Sequence, residues 1–153
     1  MTDRRLLMRS AGQLVKGDTE TTRARTITEA DIVNWCSMTG DWFPIHSDAV
    51  YAAKSVFGKR IAPGVMILAF TGGLAVPADT TTVIANYGFD KIRFPAPVFI
   101  GDTIHTQLTV LEHVPRDDGT TVVAFDWKVL NQDDRVVCSS ILRALMRREE
   151  PEA

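Results

Sequence analysis

The segment Val65-Met66-Ile67-Leu68-Ala69-Phe70-Thr71-Gly72-Gly73-Leu74-Ala75-Val76, entered through Gly64 and left through Pro77, is apolar on every side. A helix with no polar face has to be enclosed by the rest of its fold, because nothing on its circumference favours water. At 1.5 Å per residue it spans roughly 20 Å. The run is too short and too broken to cross a bilayer, which takes about 20 consecutive apolar residues. Gly72 and Gly73 each cost on the order of 1 kcal/mol relative to alanine inside a helix. The backbone there is expected either to approach a neighbour closely or to bend. Met, Leu, Ala and the paired glycines argue against a strand.

What encloses this helix is legible downstream, where the pattern changes to period two. Thr80 to Tyr87 is rich in Thr, Val and Ile, and Lys91 to Phe94 is a short run ended by Pro95 and Pro97, residues that belong at edges or bulges. Ile104, Leu108, Val110 and Val114 alternate with Thr103, His105, Gln107, Thr109 and His113, which predicts one buried and one wet face. Arg116-Asp117-Asp118-Gly119 is a turn with an Asp-Gly signal. Val123, Phe125, Trp127 and Val129 then alternate with Ala124, Asp126 and Lys128. Asn131 to Asp134 is the next turn, and Val136 to Met146 a final strand. Antiparallel strands joined by hairpins after a single apolar helix predict an α+β fold, a curved antiparallel sheet wrapped around that helix.

Composition narrows the class further. A chain of 153 residues with 45% hydrophobic and 24% charged residues fits one domain, 1–153. A net charge of −2 gives no electrostatic basis for nucleic-acid binding, since Lys59-Arg60 is a pair and not a patch. Cys36 and Cys138 lie far apart without a CxxC, so neither a metal site nor a disulfide scaffold is expected. Two free thiols in a chain with no recognisable signal peptide point to the cytoplasm. Gly17-Asp18 reads as a turn or the end of an early strand. The charged stretch from Arg147 to Glu152 reads as a solvated tail.

Upstream of the apolar helix, Thr28 is placed to cap a helix, with Asp31 reaching back in a capping box and Ile27 stapling to Ile32. That helix carries Ile32, Trp35 and Cys36 on one face and stops near Gly40. Gly40-Asp41-Trp42-Phe43-Pro44-Ile45-His46 follows. Pro44 forces Phe43 towards an extended conformation, so Asp41 to His46 is expected to be a tight non-helical loop. Ser47 or Asp48 then caps a second short helix, Ala49 to Lys54, closed by Phe57-Gly58. An acid and an imidazole in an apolar segment are either satisfied locally or present for a reaction. In isolation, local satisfaction is the commoner outcome. His105 and His113 read as exposed or interface residues, Trp35, Trp42 and Trp127 as core or dimer contacts, and the two cysteines as small hydrophobes.

Thr26 to Asp31 followed by Gly40-Asp41-Trp42-Phe43-Pro44-Ile45-His46-Ser47-Asp48 resembles the hydratase-2 motif of MaoC-like, (R)-specific enoyl-CoA hydratases. Phe57-Gly58 through Ile61-Ala62-Pro63-Gly64-Val65-Met66 is similar to that family's loop into its central helix. Phe94-Pro95-Ala96-Pro97-Val98 with Gly101-Asp102-Thr103 is similar to its later sheet signature. The resemblance covers roughly residues 17 to 146. It implies a hotdog fold, a homodimer or dimer of dimers, and action on acyl-CoA thioesters by hydration of a 2-enoyl-CoA or dehydration of a 3-hydroxyacyl-CoA. Coenzyme A would enter as part of the substrate, with no separate cofactor and no metal.

By position, Asp41 and His46 match the family's catalytic acid and imidazole, and Gly64 falls where a backbone N–H receives the thioester oxygen. Phe43, Pro63 and Val65 are the substrate-binding candidates. Phe43 stands where the family usually has Asn, and Pro63 where it usually has His. The first replacement removes a polar group beside the acid, or turns an aromatic ring towards the acyl group. Thioester hydrolysis on the same fold, or a non-catalytic acyl-CoA-binding or partner subunit, are the alternative functions. Lys59 and Arg60 are candidates for the coenzyme A phosphates or for a solvated loop pair.

Overall fold

The computed structural model describes residues 5–149. The last four residues of the charged tail, 150–153, lie outside them. Two short 3-10 turns, Leu6–Met8 and Ala11–Gln13, lead into β1 (Thr19–Thr21), β2 (Arg25–Thr26) and α1 (Glu29–Thr39). Next come α2 (Pro44–Ser47), α3 (Ala49–Ala53) and α4 (Gly64–Ala75). Four long strands complete the chain: β3 (Val83–Arg93), β4 (Thr103–Pro115), β5 (Thr120–Leu130) and β6 (Val136–Arg147). The sheet is antiparallel in the order β1-β4-β5-β6-β3, with β2 also paired to β4.

The sheet's inner face and the buried side of α4 make the core. Phe125 on β5 sits opposite Val110 on β4 and Leu142 on β6, and all three are buried. Val123, Trp127 and Val129 share the Phe125 face, as their alternation requires. Met66, Ile67 and Ala75 of α4 join the same cluster.

The helix is enclosed on one side only. Val65, Ala69, Gly73 and Val76 are exposed and fall on one stripe, because residues four apart on a helix stack on one face. The expectation of full enclosure is corrected to a helix pressed on the sheet with a low apolar ridge outward. No neighbouring atom lies within 4 Å of where a Cβ on Gly72 or Gly73 would stand. The helix runs through both residues unbroken, so close backbone approach does not explain them. Gly72 instead borders a cavity of about 230 Å³ between α4 and β3, lined also by Val83, Phe89 and Leu142.

The last turn of α4 is held from the other end of the chain. The Arg5 guanidinium donates to the carbonyls of Leu74 and Ala75 at 2.7 and 2.9 Å while its Nε pairs with Glu20 at 2.8 Å. A cation on the terminal carbonyls satisfies acceptors that have no intrahelical donor. Gly12 N–H in turn donates to the Arg148 carbonyl, and Arg147 Nε to Thr81. The start of the charged tail is therefore bonded to the fold.

Helix α1 begins as the sequence predicts. Thr28 Oγ1 accepts from the Asp31 N–H, Asp31 returns a bond to the Thr28 N–H, and Gly40 closes the helix at φ 77°. Burial acts to raise the Asp31 carboxyl, but the Thr28 bonds and the Arg25 guanidinium outweigh it and hold it below its usual range. Thr28→Ala is expected to cost about 1 kcal/mol in urea unfolding, the usual worth of an N-cap side chain. A loss within error would show that Arg25 alone fixes the helix start.

Three expectations change in the remaining elements. The two short runs at Thr80–Tyr87 and Lys91–Phe94 are one strand, β3, which absorbs its irregular residues in register shifts and in the left-handed Lys91 at φ 54°. Bulges let a strand pass such residues without ending its pairing. A shift between Val110 and Glu112 in β4 moves His113 opposite the buried Val123, so His113 leaves the wet face on which simple alternation had put it. Asp48, and not Ser47, caps α3, accepting from Val50 and Tyr51; the helix ends before Phe57-Gly58, which form a later turn.

Candidate active site

Phe43 is extended, but Pro44 opens a helical turn and does not continue a loop. A proline at the first helical position is preorganised for it and loses no bond. Ile45 is buried and anchors the turn, while Ser47 Oγ ties it back to the Trp42 carbonyl at 3.0 Å. His46 therefore leaves a short rigid helix, and the expectation of a wholly non-helical loop is corrected.

The imidazole is fixed by a partner fifteen residues away. His46 Nδ1 lies 2.7 Å from the Ile61 carbonyl oxygen. A carbonyl only accepts, so Nδ1 carries the proton and the neutral ring presents its lone pair at Nε2. Ile61 is held in turn by a bridge to Phe99, and Ala62 N–H donates to the Val98 carbonyl at 2.8 Å. The Phe43 ring meets the imidazole edge-on, with centroids 6.0 Å apart.

His46 and Gly64 line one cavity of about 210 Å³, whose other walls include Phe57, Ile67, Phe94 and Val137. Gly64 is the first residue of α4, so its N–H has no intrahelical acceptor and stands at the positive end of the helix dipole. Among the described residues neither His46 Nε2 nor the Gly64 N–H has a hydrogen-bond partner, so the site offers an imidazole nitrogen and an amide in an apolar hollow.

The other candidates do not line this cavity. Asp41 is half-buried at the end of α1; its N–H donates to Thr39 Oγ1 and its carboxylate accepts no hydrogen bond among the described residues. Its charge lies near enough to Cys36 to add to burial in pushing that thiol up. Pro63 is buried as the cap of α4, Val65 points outward, and Phe43 is largely exposed. Burial also pushes Cys138 up to about 11, so neither thiol is a nucleophile at neutral pH. Of the basic pair, Lys59 lies over the Phe99 ring and Arg60 grips both oxygens of Glu29. Both cations are engaged with the protein. The three tryptophans divide: Trp127 is core, Trp35 packs edge-on against Phe70, and Trp42 is exposed.

Two residues in this geometry had no role assigned from sequence. The Ile61 carbonyl sets the imidazole, a bond between segments that no local pattern announces. Phe94 lies against Gly64 from thirty residues downstream, and its only local signal is an aromatic residue held before proline at a strand's end.

The chain is similar to known proteins in sequence and in fold. Residues 10–131 match the family model described as MaoC like domain. The chain is 45% identical over 97 residues to "Protein MaoC" of Klebsiella aerogenes, covering 63% of this chain and 29% of that protein. It is 32% identical over 130 residues to a β-methylmalyl-CoA dehydratase of Chloroflexus aurantiacus, covering 84% and 37%. The chain thus matches only about a third of the length of these two relatives. Among solved structures, a MaoC-like dehydratase from Rhodospirillum rubrum superposes with a TM-score of 0.82 at 25% identity, covering 93% of this chain and 99% of that one. A Mycobacterium tuberculosis protein described as a double hotdog fold matches at 0.82 and 20% identity, covering 98% and 47%. The sheet curved around α4 is therefore a hotdog fold, and this chain belongs to the MaoC-like domain family.

Proposed function

We propose that the whole chain is one MaoC-like domain that adds water to a 2-enoyl-CoA thioester or removes it from the matching 3-hydroxyacyl-CoA. The observation that carries this reading is the single apolar cavity lined by both His46, with Nε2 free, and the Gly64 amide. Asp41 and His46 share the water. One of them takes a proton from the water as its oxygen bonds to the β-carbon, and that same proton is then passed to the α-carbon, so that both groups end in the state in which they began. The electron pair of the double bond passes through an enolate whose oxygen rests on the Gly64 N–H. The net change is H and OH added across the double bond. Each proton transfer contributes about 10²- to 10⁴-fold, and an oriented amide at the oxyanion about 10²- to 10³-fold. Phe43 and Pro63 shape the entrance, and Val65 lies on its outer rim. No cofactor is used beyond the coenzyme A of the substrate.

Membership of a family whose relatives include a dehydratase supports the reaction class, and the two silent thiols argue against a cysteine nucleophile for thioester hydrolysis. The test is a panel of 2-enoyl-CoA thioesters of varied length, followed by loss of the enoyl chromophore and by release of free thiol. Chromophore loss without thiol supports hydration. Thiol release with the enoyl group intact would replace it with hydrolysis, and binding without turnover would leave a binding module.

The unpaired thiols fit a cytoplasmic setting. The exposed ridge of α4 and the open edge of β3 fit a homodimer or dimer of dimers. Light scattering at micromolar concentration is expected to give at least twice the chain mass, and a monomer would sink that assembly.

A further inference from the structure

Glycine at position 64 is not demanded by its backbone. Gly40, Gly58 and Gly101 have left-handed φ values, whereas Gly64 does not. What excludes a side chain is Phe94. A Cβ on Gly64 would lie 2.9 Å from ring atoms Cγ and Cδ2 and 3.0 Å from Cδ1, so the ring lies directly over the glycine. A Cα–Cβ bond in a helix tilts towards the N-terminus, the end from which the unbonded N–H groups of the first turn emerge. The ring therefore stands beside the outlet of the Gly64 amide. The space that glycine leaves is filled by Phe94 and not held open for substrate.

Phe94 is not a core residue. It is 42% exposed and lines the same cavity as His46 and Gly64. Its position is nevertheless held from both sides. Arg93 pairs with Ser139 on β6 immediately before it, and Pro95 restricts it to an extended backbone immediately after. Three residues further on, Val98 accepts from Ala62, which joins this segment to the loop that enters α4.

We propose that Phe94 is a positioning residue for the thioester: its ring is the wall that seats the carbonyl on the Gly64 amide and keeps water off the oxygen as it gains charge. This rests on the acyl-thioester reading above. A hydrogen bond to a developing oxyanion is worth more where competing water is excluded, because the local dielectric falls. A ring laid beside the amide removes water from that side and narrows the angles at which a carbonyl can enter.

The test compares wild type with Phe94→Ala, Phe94→Leu and Phe94→Tyr in two assays. In turnover of 2-butenoyl-CoA, Phe94→Ala is expected to lower kcat by about tenfold or more with a smaller change in KM, and Phe94→Tyr to stay within about threefold of wild type, as a lost transition-state contact requires. In calorimetry, butanoyl-CoA should bind Phe94→Ala about tenfold more weakly than wild type. S-butyl-CoA, a thioether with no carbonyl, should bind both within about twofold. If Phe94→Ala melts too low to assay, Phe94→Leu, which keeps bulk without a ring face, is read in its place.

Unchanged or faster turnover with unchanged thioester binding would overturn the proposal, as would equal weakening of both ligands, which marks general packing. If wild type hydrates no enoyl-CoA, the hydration reading falls, and the difference between the two ligands still decides the role of Phe94. If wild type binds neither ligand, both fall together.

Discussion

Asp41→Asn and His46→Ala are each expected to lower the rate of 2-enoyl-CoA hydration by about 10²- to 10⁴-fold while leaving the melting temperature nearly unchanged. The stability half of the prediction follows from what each side chain does in the fold. The Asp41 carboxylate accepts no hydrogen bond among the described residues, so an amide of the same shape gives up little. His46→Ala removes one bond, to the Ile61 carbonyl, worth about 1 kcal/mol net. The neighbouring turn keeps its buried Ile45 and its Ser47 tie. The double variant is expected to be little slower than the worse single one, because groups that act on one water are not additive. Steady-state rates with circular dichroism as a folding check decide the matter. Wild-type hydration in Asp41→Asn would remove the acid from the site and leave the imidazole and the amide to do the chemistry. Wild-type hydration in His46→Ala would overturn the site as a whole.

Phe125→Ala is expected to cost about 3–5 kcal/mol, the range for deleting a buried aromatic side chain and leaving a cavity. Phe125 is fully buried at the middle of the inner face, between Val110 and Leu142 and within the cluster that α4 covers. Backbone pairing holds its strand between two others, so little collapse can refill the hole. A typical domain has only 5–15 kcal/mol to lose, and this single change would take a large share. Urea unfolding should show a lower midpoint with an unchanged slope. A loss below 1 kcal/mol would mean that the packing centre lies elsewhere.

These two expectations differ in how far sequence alone could carry them. Local features were legible. Thr28 and Asp31 are three residues apart, and their capping box needs no tertiary information. Phe125 and its alternate neighbours declare their face by period two, and the turns at Arg116–Gly119 and Asn131–Asp134 carry their own chemistry. Features set by register or by distant contact were not legible. Alternation misplaces His113 because one extra residue in β4 inverts every position after it. The apolar circumference of α4 implied a covering on all sides, whereas this chain supplies one for the sheet side only. The motif singles out His46 and Gly64, which line one cavity, but the Ile61 carbonyl that fixes one and the Phe94 ring that confines the other come from separate segments. Asp41 does not line the hollow that they share, and its place depends on how α1 meets α2.

The two ends of α4 are held by different parts of the chain. Its first residue is fixed through the segments around Ile61 and Val98, and its last carbonyls by Arg5, some seventy residues upstream. Native proteins open in cooperative pieces of unequal stability. The distal turn of this helix is therefore expected to open together with the segment that carries Arg5, and the proximal turn together with the loops around Ile61 and Val98. Loss of the Arg5 bonds is expected to fray α4 from its far end, leaving the Gly64 amide the last part of the helix to be disturbed.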